Sequence, residues 1–128
     1  MQAPVTTAYA AILSIMLIGL AINVTVNRAK LGVPIGDGNN PKMVRMIRIH
    51  GNAAEYIPIG LFLMLFYEIS GGSHIALHIT GAGLVIGRVL HAWGLWSTTA
   101  PTFGRIAGPT LTWAVILALA ALNLIRVA

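Results

Sequence analysis

The chain contains 128 residues, a length that usually forms a single domain. Hydrophobic residues make up 57% of it and charged residues 9%, against roughly 45–50% and about 25% in soluble domains; a soluble enzyme this small could not bury so much apolar surface. The net charge of +5 comes from only eight Lys and Arg against three acidic residues, so it reflects a scarcity of acid and not a basic nucleic-acid-binding patch. The chain has no cysteine, which excludes disulfides and cysteine-bound metals.

Four stretches are long and apolar enough to cross a membrane, which takes about 20 residues. We predict helices over residues 4–27, 41–69, 74–96 and 106–126. The first stretch is too long for a signal-peptide core and lacks a basic leader, so we interpret it as a retained helix. The short link Ser70-Gly71-Gly72-Ser73 has turn chemistry, so the helices on either side of it should be antiparallel. The predicted fold is therefore all-α, a single up-down four-helix transmembrane domain over 1–128.

Positive residues concentrate at one end of the predicted bundle. The first loop and its flanks carry Arg28, Lys30, Lys42, Arg45 and Arg48. The third loop leads into Arg105, whereas the second has no Lys or Arg and is flanked by Glu68. By the positive-inside rule, loops one and three face the cytoplasm and both termini lie outside it, with Arg126 as a mild exception. Glu68 is expected to end the second helix in the outer headgroup region.

The second helix carries a polar stripe. Helical spacing places Arg45, Arg48, Asn52 and Glu55 on one face, bordered by Tyr56. An ionised group inside the membrane costs roughly 2.5–3.5 kcal/mol on insertion scales and usually faces a partner in the protein interior. Arg48 and Glu55 lie about 10 Å apart along the axis, so we expect them not to pair. Glu55 then needs a partner on another helix or subunit.

The third helix supplies that partner, because Arg88 and His91 share one face inside an apolar run. We predict an ion pair between Glu55 and Arg88. One carboxylate cannot neutralise the four arginines of this half of the bundle, which predicts a site for an anionic ligand. Lipid headgroups could instead hold Arg45 and Arg48, and a structural bond between helices could satisfy Glu55.

The polar stripe belongs to a longer motif in the second helix, Arg48-x-His50-x-Asn52-x-x-Glu55-Tyr56-x-Pro58. This motif resembles the second-helix signature of the MAPEG family, the membrane-associated proteins in eicosanoid and glutathione metabolism. Arg88-x-x-His91 with Arg105 is similar to its third-helix and third-loop pattern, and Asn27-Arg28-Ala29 to its basic stretch after the first helix. His91 is the residue of the microsomal glutathione transferase and prostaglandin E synthase branch, which the chain resembles most closely in motif.

The resemblance implies a homotrimer in a bacterial inner membrane, with glutathione held between subunits near the cytoplasm. It assigns glutathione contacts to Arg28, Arg48, Asn52, Glu55, Tyr56, Arg88 and His91. Arg105 would stabilise the glutathione thiolate, with Arg88 as the alternative. A guanidinium about 4 Å from sulfur contributes about 4 kcal/mol gross at an effective dielectric near 20, and a third of that raises thiol acidity about tenfold. The implied activity is that of a membrane-embedded glutathione transferase-like enzyme, which conjugates or reduces lipophilic electrophiles dissolved in the membrane lipids.

Two other functions stay open. One is a MAPEG protein that binds lipid or glutathione without catalysis, since Leu95 stands where the family commonly has a tyrosine. The other is a small multidrug transporter, but such transporters carry their carboxylate in the first helix, and residues 4–26 contain no charged side chain. No nucleic acid partner is expected. His74 and His78 have an i, i+4 metal-ligand spacing but lack a nearby third ligand, so no metal is predicted.

Overall fold

A computed structural model describes residues 2–128. It contains four helices in an up-down bundle: α1 (Pro4–Leu31), α2 (Pro41–Ile69), α3 (His74–Trp96) and α4 (Phe103–Val127). Each helix is long and apolar enough to cross a membrane, and the described part of the chain contains no strand. The predicted fold class, an all-α membrane bundle, is confirmed.

Capping explains where α1 and α4 differ from their predicted bounds. α1 continues one turn past residue 27 and ends at Gly32, whose left-handed conformation (φ 65°) lets its N–H reach the Arg28 carbonyl. α4 begins three residues earlier than predicted because the Thr102 hydroxyl accepts a hydrogen bond from the Arg105 N–H at 3.2 Å. The extra turn of α4 makes Arg105 a first-turn residue.

Glycines bring α3 and α4 into backbone contact. A Cβ atom added to Gly104 would lie 2.5 Å from the Leu90 carbonyl oxygen, and one added to Gly108 would lie 2.5 Å from the His91 nitrogen. Small residues four apart allow such an approach between membrane helices. The contact sets the start of α4 directly beside the polar residues of α3.

Glu68 lies at the other end of the bundle in the last turn of α2, which it was expected to end, but its side chain is buried against α1. The residue is 6% exposed, and its two carboxylate oxygens accept hydrogen bonds from the N–H groups of Val5 (2.9 Å) and Thr6 (2.7 Å). α1 has no side-chain cap of its own and no acidic residue in its first turn. Glu68 therefore satisfies backbone donors that the first turn of any helix leaves free.

Candidate functional site

Arg88 is the centre of a polar layer inside the bundle. The residue is 1% exposed. Its Nε and Nη2 groups donate to the Thr112 hydroxyl at 3.1 and 2.7 Å, and Nη1 donates to the Asn52 side-chain oxygen at 2.5 Å. The guanidinium carbon lies 5.6 Å from the centre of the Tyr56 ring. These partners are all neutral, so they satisfy the N–H groups of Arg88 but leave its positive charge uncompensated.

The predicted ion pair between Glu55 and Arg88 is wrong. Glu55 Oε1 lies 4.0 Å from Nη1 of Arg48, and both side chains are exposed, at 57% and 60%. The two long side chains extend toward each other along α2 and span the two turns that separate them, which sequence reasoning had considered too far. Arg88 lies deeper in the bundle and bonds to Asn52 and Thr112 instead.

A partly open space of about 180 Å³ lies beside this layer. We call it the arginine cavity; its lining residues are Val44, Arg45, Arg48, His91, Leu95, Thr99 and Arg105. Three of the seven are arginines and none is acidic. Such a cavity attracts an anion, because arginine binds carboxylates through paired N–H groups.

Arg45 adds a second sign that the arginine cavity accepts a ligand. Its Nε atom is buried and has no hydrogen-bond partner. A buried donor without an acceptor costs roughly 1–3 kcal/mol, and most such groups in folded proteins are satisfied. A ligand oxygen in the arginine cavity would supply the missing acceptor. Lipid headgroups had been an alternative partner for Arg45, but the residue lines this cavity.

Arg105 and His91 reach the arginine cavity from two different helices. Arg105 lies in the first turn of α4, where its side chain donates to the Thr99 carbonyl and so ties the third loop to the cavity wall. His91 lies one turn after Arg88 on α3 and is buried. The glycine contact between α3 and α4 brings these two residues together.

The remaining predicted residues divide into two groups. Asn52 and Tyr56 belong to the Arg88 layer, next to the arginine cavity. Arg28 lies apart from both, because its Nη1 group donates to the carbonyls of Val33 (3.3 Å) and Gly36 (2.7 Å) and shapes the first loop. Within one chain the structure does not bring Arg28 to the site.

Thr112 is the main site residue that sequence reasoning missed. Its hydroxyl accepts two hydrogen bonds from Arg88 and donates one to the Gly108 carbonyl at 2.9 Å. The sequence does contain a signal for it. Gly104, Gly108 and Thr112 recur at every fourth position of α4, the spacing of a close helix contact.

The side chains that line the arginine cavity suit an anion. In residues 2–128 no three His, Asp or Glu side chains come together as metal ligands. His78 instead lies beside Tyr9, with its Nδ1 atom 3.3 Å from the tyrosine hydroxyl. The three arginines of the arginine cavity are donors without acceptor capacity, a set that binds carboxylate or phosphate.

The chain is similar in sequence to known proteins along most of its length. Residues 6–125 match the model of the MAPEG family. The chain is 36% identical over 120 residues to the inner membrane protein YecN of Escherichia coli strain K12, an alignment that covers 94% of this chain and 90% of YecN. YecN of Escherichia coli O6:H1 strain CFT073 matches to the same extent.

Proposed function

The chain belongs to the MAPEG family, and we propose that it is a glutathione transferase-like enzyme embedded in a bacterial inner membrane. The supporting observation is the arginine cavity, a partly open space that is lined by three arginines and by no carboxylate. The similarity of the chain to an inner membrane protein of Escherichia coli supports a location in the inner membrane. His91 supports a place in the microsomal glutathione transferase and prostaglandin E synthase branch.

Glutathione matches the charges of the site. One of its two carboxylates suits the arginine cavity, and its ammonium suits Glu55, whose carboxylate lies beside Arg48 on the exposed face of α2. Asn52 and Tyr56 would position the peptide groups through the Arg88 layer. Ligand pockets usually measure about 300–1,000 Å³, so a cavity of about 180 Å³ holds one end of the tripeptide. We propose that a neighbouring subunit of a homotrimer closes the rest and contributes Arg28.

Arg105 is the residue that we assign to thiol activation. It lies in the first turn of α4, so its charge adds to the positive end of the helix dipole. A thiolate near this guanidinium is stabilised by its positive charge. The thiolate sulfur then forms a bond to the electrophilic carbon of a lipophilic substrate, whose leaving group departs with the bonding electrons. Arg88 already has neutral partners for its N–H groups, and we assign it the positioning of Asn52 and Tyr56.

Binding without catalysis is the second candidate. Leu95 lines the arginine cavity and provides no hydroxyl group where the family commonly has a tyrosine. Loss of that donor would leave the binding of glutathione intact and weaken any help that the site gives to the thiolate. The arginine cavity supports both functions equally, so the thiolate itself must be measured.

A thermal-shift titration in detergent tests the proposal. Glutathione and S-methylglutathione should both raise the unfolding temperature, since a ligand at 100 times its dissociation constant stabilises by about 2.7 kcal/mol. Arg48→Gln should remove the shift, and Lys30→Gln, an exposed charge outside the cavity, should retain it. The ultraviolet absorbance of bound thiolate then separates the two candidates. If neither ligand raises the unfolding temperature, both candidate functions are refuted.

A further inference from the structure

A second, apolar groove lies between the C-terminal halves of α2 and α4, at the end of the bundle opposite the arginine cavity. Its volume is about 650 Å³. We call it the α2–α4 groove; its lining residues are Leu63, Phe66, Ile69, Ser70, Ala120, Asn123, Leu124, Arg126 and Val127. The amide of Asn123 is already occupied, because it donates to the carbonyls of Leu63 (2.9 Å) and Leu119 (2.8 Å). The inner walls are therefore suited to a hydrocarbon chain.

Arg126 lies at the mouth of the α2–α4 groove. Neutral groups orient its guanidinium, and no acidic side chain of the described residues neutralises its charge. Its Nη2 group donates to the Gly71 carbonyl, and its guanidinium carbon lies 5.7 Å from the centre of the Tyr67 ring. Among residues 2–128 no carboxylate comes within 4.0 Å of it. Glu68, the nearest acid along the chain to this turn, is committed to the start of α1. The guanidinium is thus oriented by neutral partners and free to pair with an anion.

The depth of Arg126 in a membrane follows from the length of α4. The helix has 25 residues, or about 37 Å at about 1.5 Å per residue, which exceeds a hydrocarbon core about 30 Å thick. Arg126 is the second-last residue of α4, so it reaches the level of the lipid phosphates. The α2–α4 groove extends from that level into the hydrocarbon.

We propose that the α2–α4 groove and Arg126 form a binding site for one anionic phospholipid. The lipid phosphate would pair with the guanidinium, and one acyl chain would lie along the apolar walls between α2 and α4. The turn between α2 and α3 contains no Lys or Arg, so Arg126 gives this end of the bundle its headgroup preference. The site is separate from the arginine cavity and does not depend on the proposed enzymatic function.

Quenching of a tryptophan in the α2–α4 groove by brominated lipid measures which lipid occupies the groove. Trp93, Trp96 and Trp113 are replaced by Phe, and Phe66→Trp places one reporter in the groove, where Phe66 is exposed. The protein is reconstituted into phosphatidylcholine vesicles that contain a small fraction of brominated phosphatidylglycerol or brominated phosphatidylcholine. We expect the anionic lipid to be enriched about fivefold at the reporter, the factor that corresponds to about 1 kcal/mol per basic side chain at a membrane surface.

Substitutions at Arg126 separate lipid binding from a purely structural role. Arg126→Gln should remove the preference for phosphatidylglycerol, whereas Arg126→Lys, which keeps the charge, should retain most of it. Lys30→Gln removes a charge at the other end and should change nothing. Equal quenching by both lipids, a preference that survives Arg126→Gln, or displacement of the lipid by millimolar inorganic phosphate would overturn the proposal.

Discussion

Nη1 of Arg88 and the side-chain oxygen of Asn52 form a 2.5 Å hydrogen bond that joins α3 to α2 inside the bundle. The bond links two residues that were both expected to contact glutathione and that lie on different helices. Asn52 belongs to the polar stripe of α2, and Arg88 is the most deeply buried charge described in the chain. The Arg88 layer therefore connects the stability of the bundle with the shape of the site beside it.

Two substitutions of Asn52 test whether the stability of the bundle depends on the hydrogen bond that Arg88 donates to this residue. Asn52→Leu leaves Nη1 without its side-chain acceptor and should lower the free energy of unfolding by about 1–3 kcal/mol, the cost of an unsatisfied buried donor. Asn52→Asp supplies a carboxylate at the same distance and should preserve the stability or raise it. The midpoint of thermal unfolding in detergent measures both variants. A loss of stability in Asn52→Asp equal to that in Asn52→Leu would show that Arg88 does not depend on this acceptor.

The hydroxyl of Thr112 should contribute more to stability than a similar hydroxyl two residues away. Thr112→Val removes the acceptor of two Arg88 hydrogen bonds and should cost about 1–3 kcal/mol. Thr110→Val is the matched control, because that exposed hydroxyl donates only to the Ile106 carbonyl of its own helix. Equal unfolding midpoints for the two variants would contradict the role of Thr112 in the Arg88 layer.

The hydrogen bonds from the first turn of α1 to the carboxylate of Glu68 should stabilise the bundle. Glu68→Gln keeps the shape of the side chain but removes its charge and one acceptor, so we expect a loss of about 0.5–2 kcal/mol, as for other lost helix caps. Glu55→Gln changes an exposed carboxylate and should have little effect without ligand. Hydrogen exchange at the amides of Val5 and Thr6 provides a local readout. Unchanged exchange at both amides would refute the cap.

How far the sequence predicted this structure depends on the range of each interaction. The bounds of α2 and α3 agree with those expected from hydropathy, proline and turn residues, which act locally. The end of α1 and the start of α4 differed because caps decided them, the backbone N–H of Gly32 for α1 and the side-chain hydroxyl of Thr102 for α4. The partners of Glu68 were not predicted, since they are backbone N–H groups more than 60 positions away, and backbone groups leave no pattern in a sequence.

The site shows the same division. Helical periodicity placed Arg48 and Asn52 on one face, and the structure brings Arg48 to the arginine cavity and Asn52 to the adjacent layer. The partner of Arg88 could not be read in this way, because it depends on how closely α4 approaches α3 at Gly108. Glutathione, the trimer and the roles of Arg28 and Arg105 stay predictions.

Two glycine substitutions should have opposite effects on stability. Gly108→Ala puts a methyl group 2.5 Å from the His91 backbone nitrogen, so the helices must separate; we expect a loss of about 1–3 kcal/mol and weaker glutathione binding. Gly19→Ala introduces a methyl group with no atom within 4 Å and should stabilise α1 by roughly 0.5–1 kcal/mol. Unfolding midpoints of both variants check the pair. Tolerance of Gly108→Ala would mean that the α3–α4 contact can relax.

Arg45 should matter more to the ligand-bound protein than to the ligand-free one. Arg45→Gln removes a buried donor that has no partner in the chain, so the unfolding midpoint without ligand should stay the same or rise. Hydrogen bonds to charged groups contribute about 1.5–3 kcal/mol, and the dissociation constant for glutathione should therefore increase about tenfold to a hundredfold. Lys42→Gln, a neighbouring exposed charge outside the arginine cavity, is the control. Calorimetric titration with glutathione measures both variants, and equal affinities would assign Arg45 to the lipid headgroups instead of the ligand.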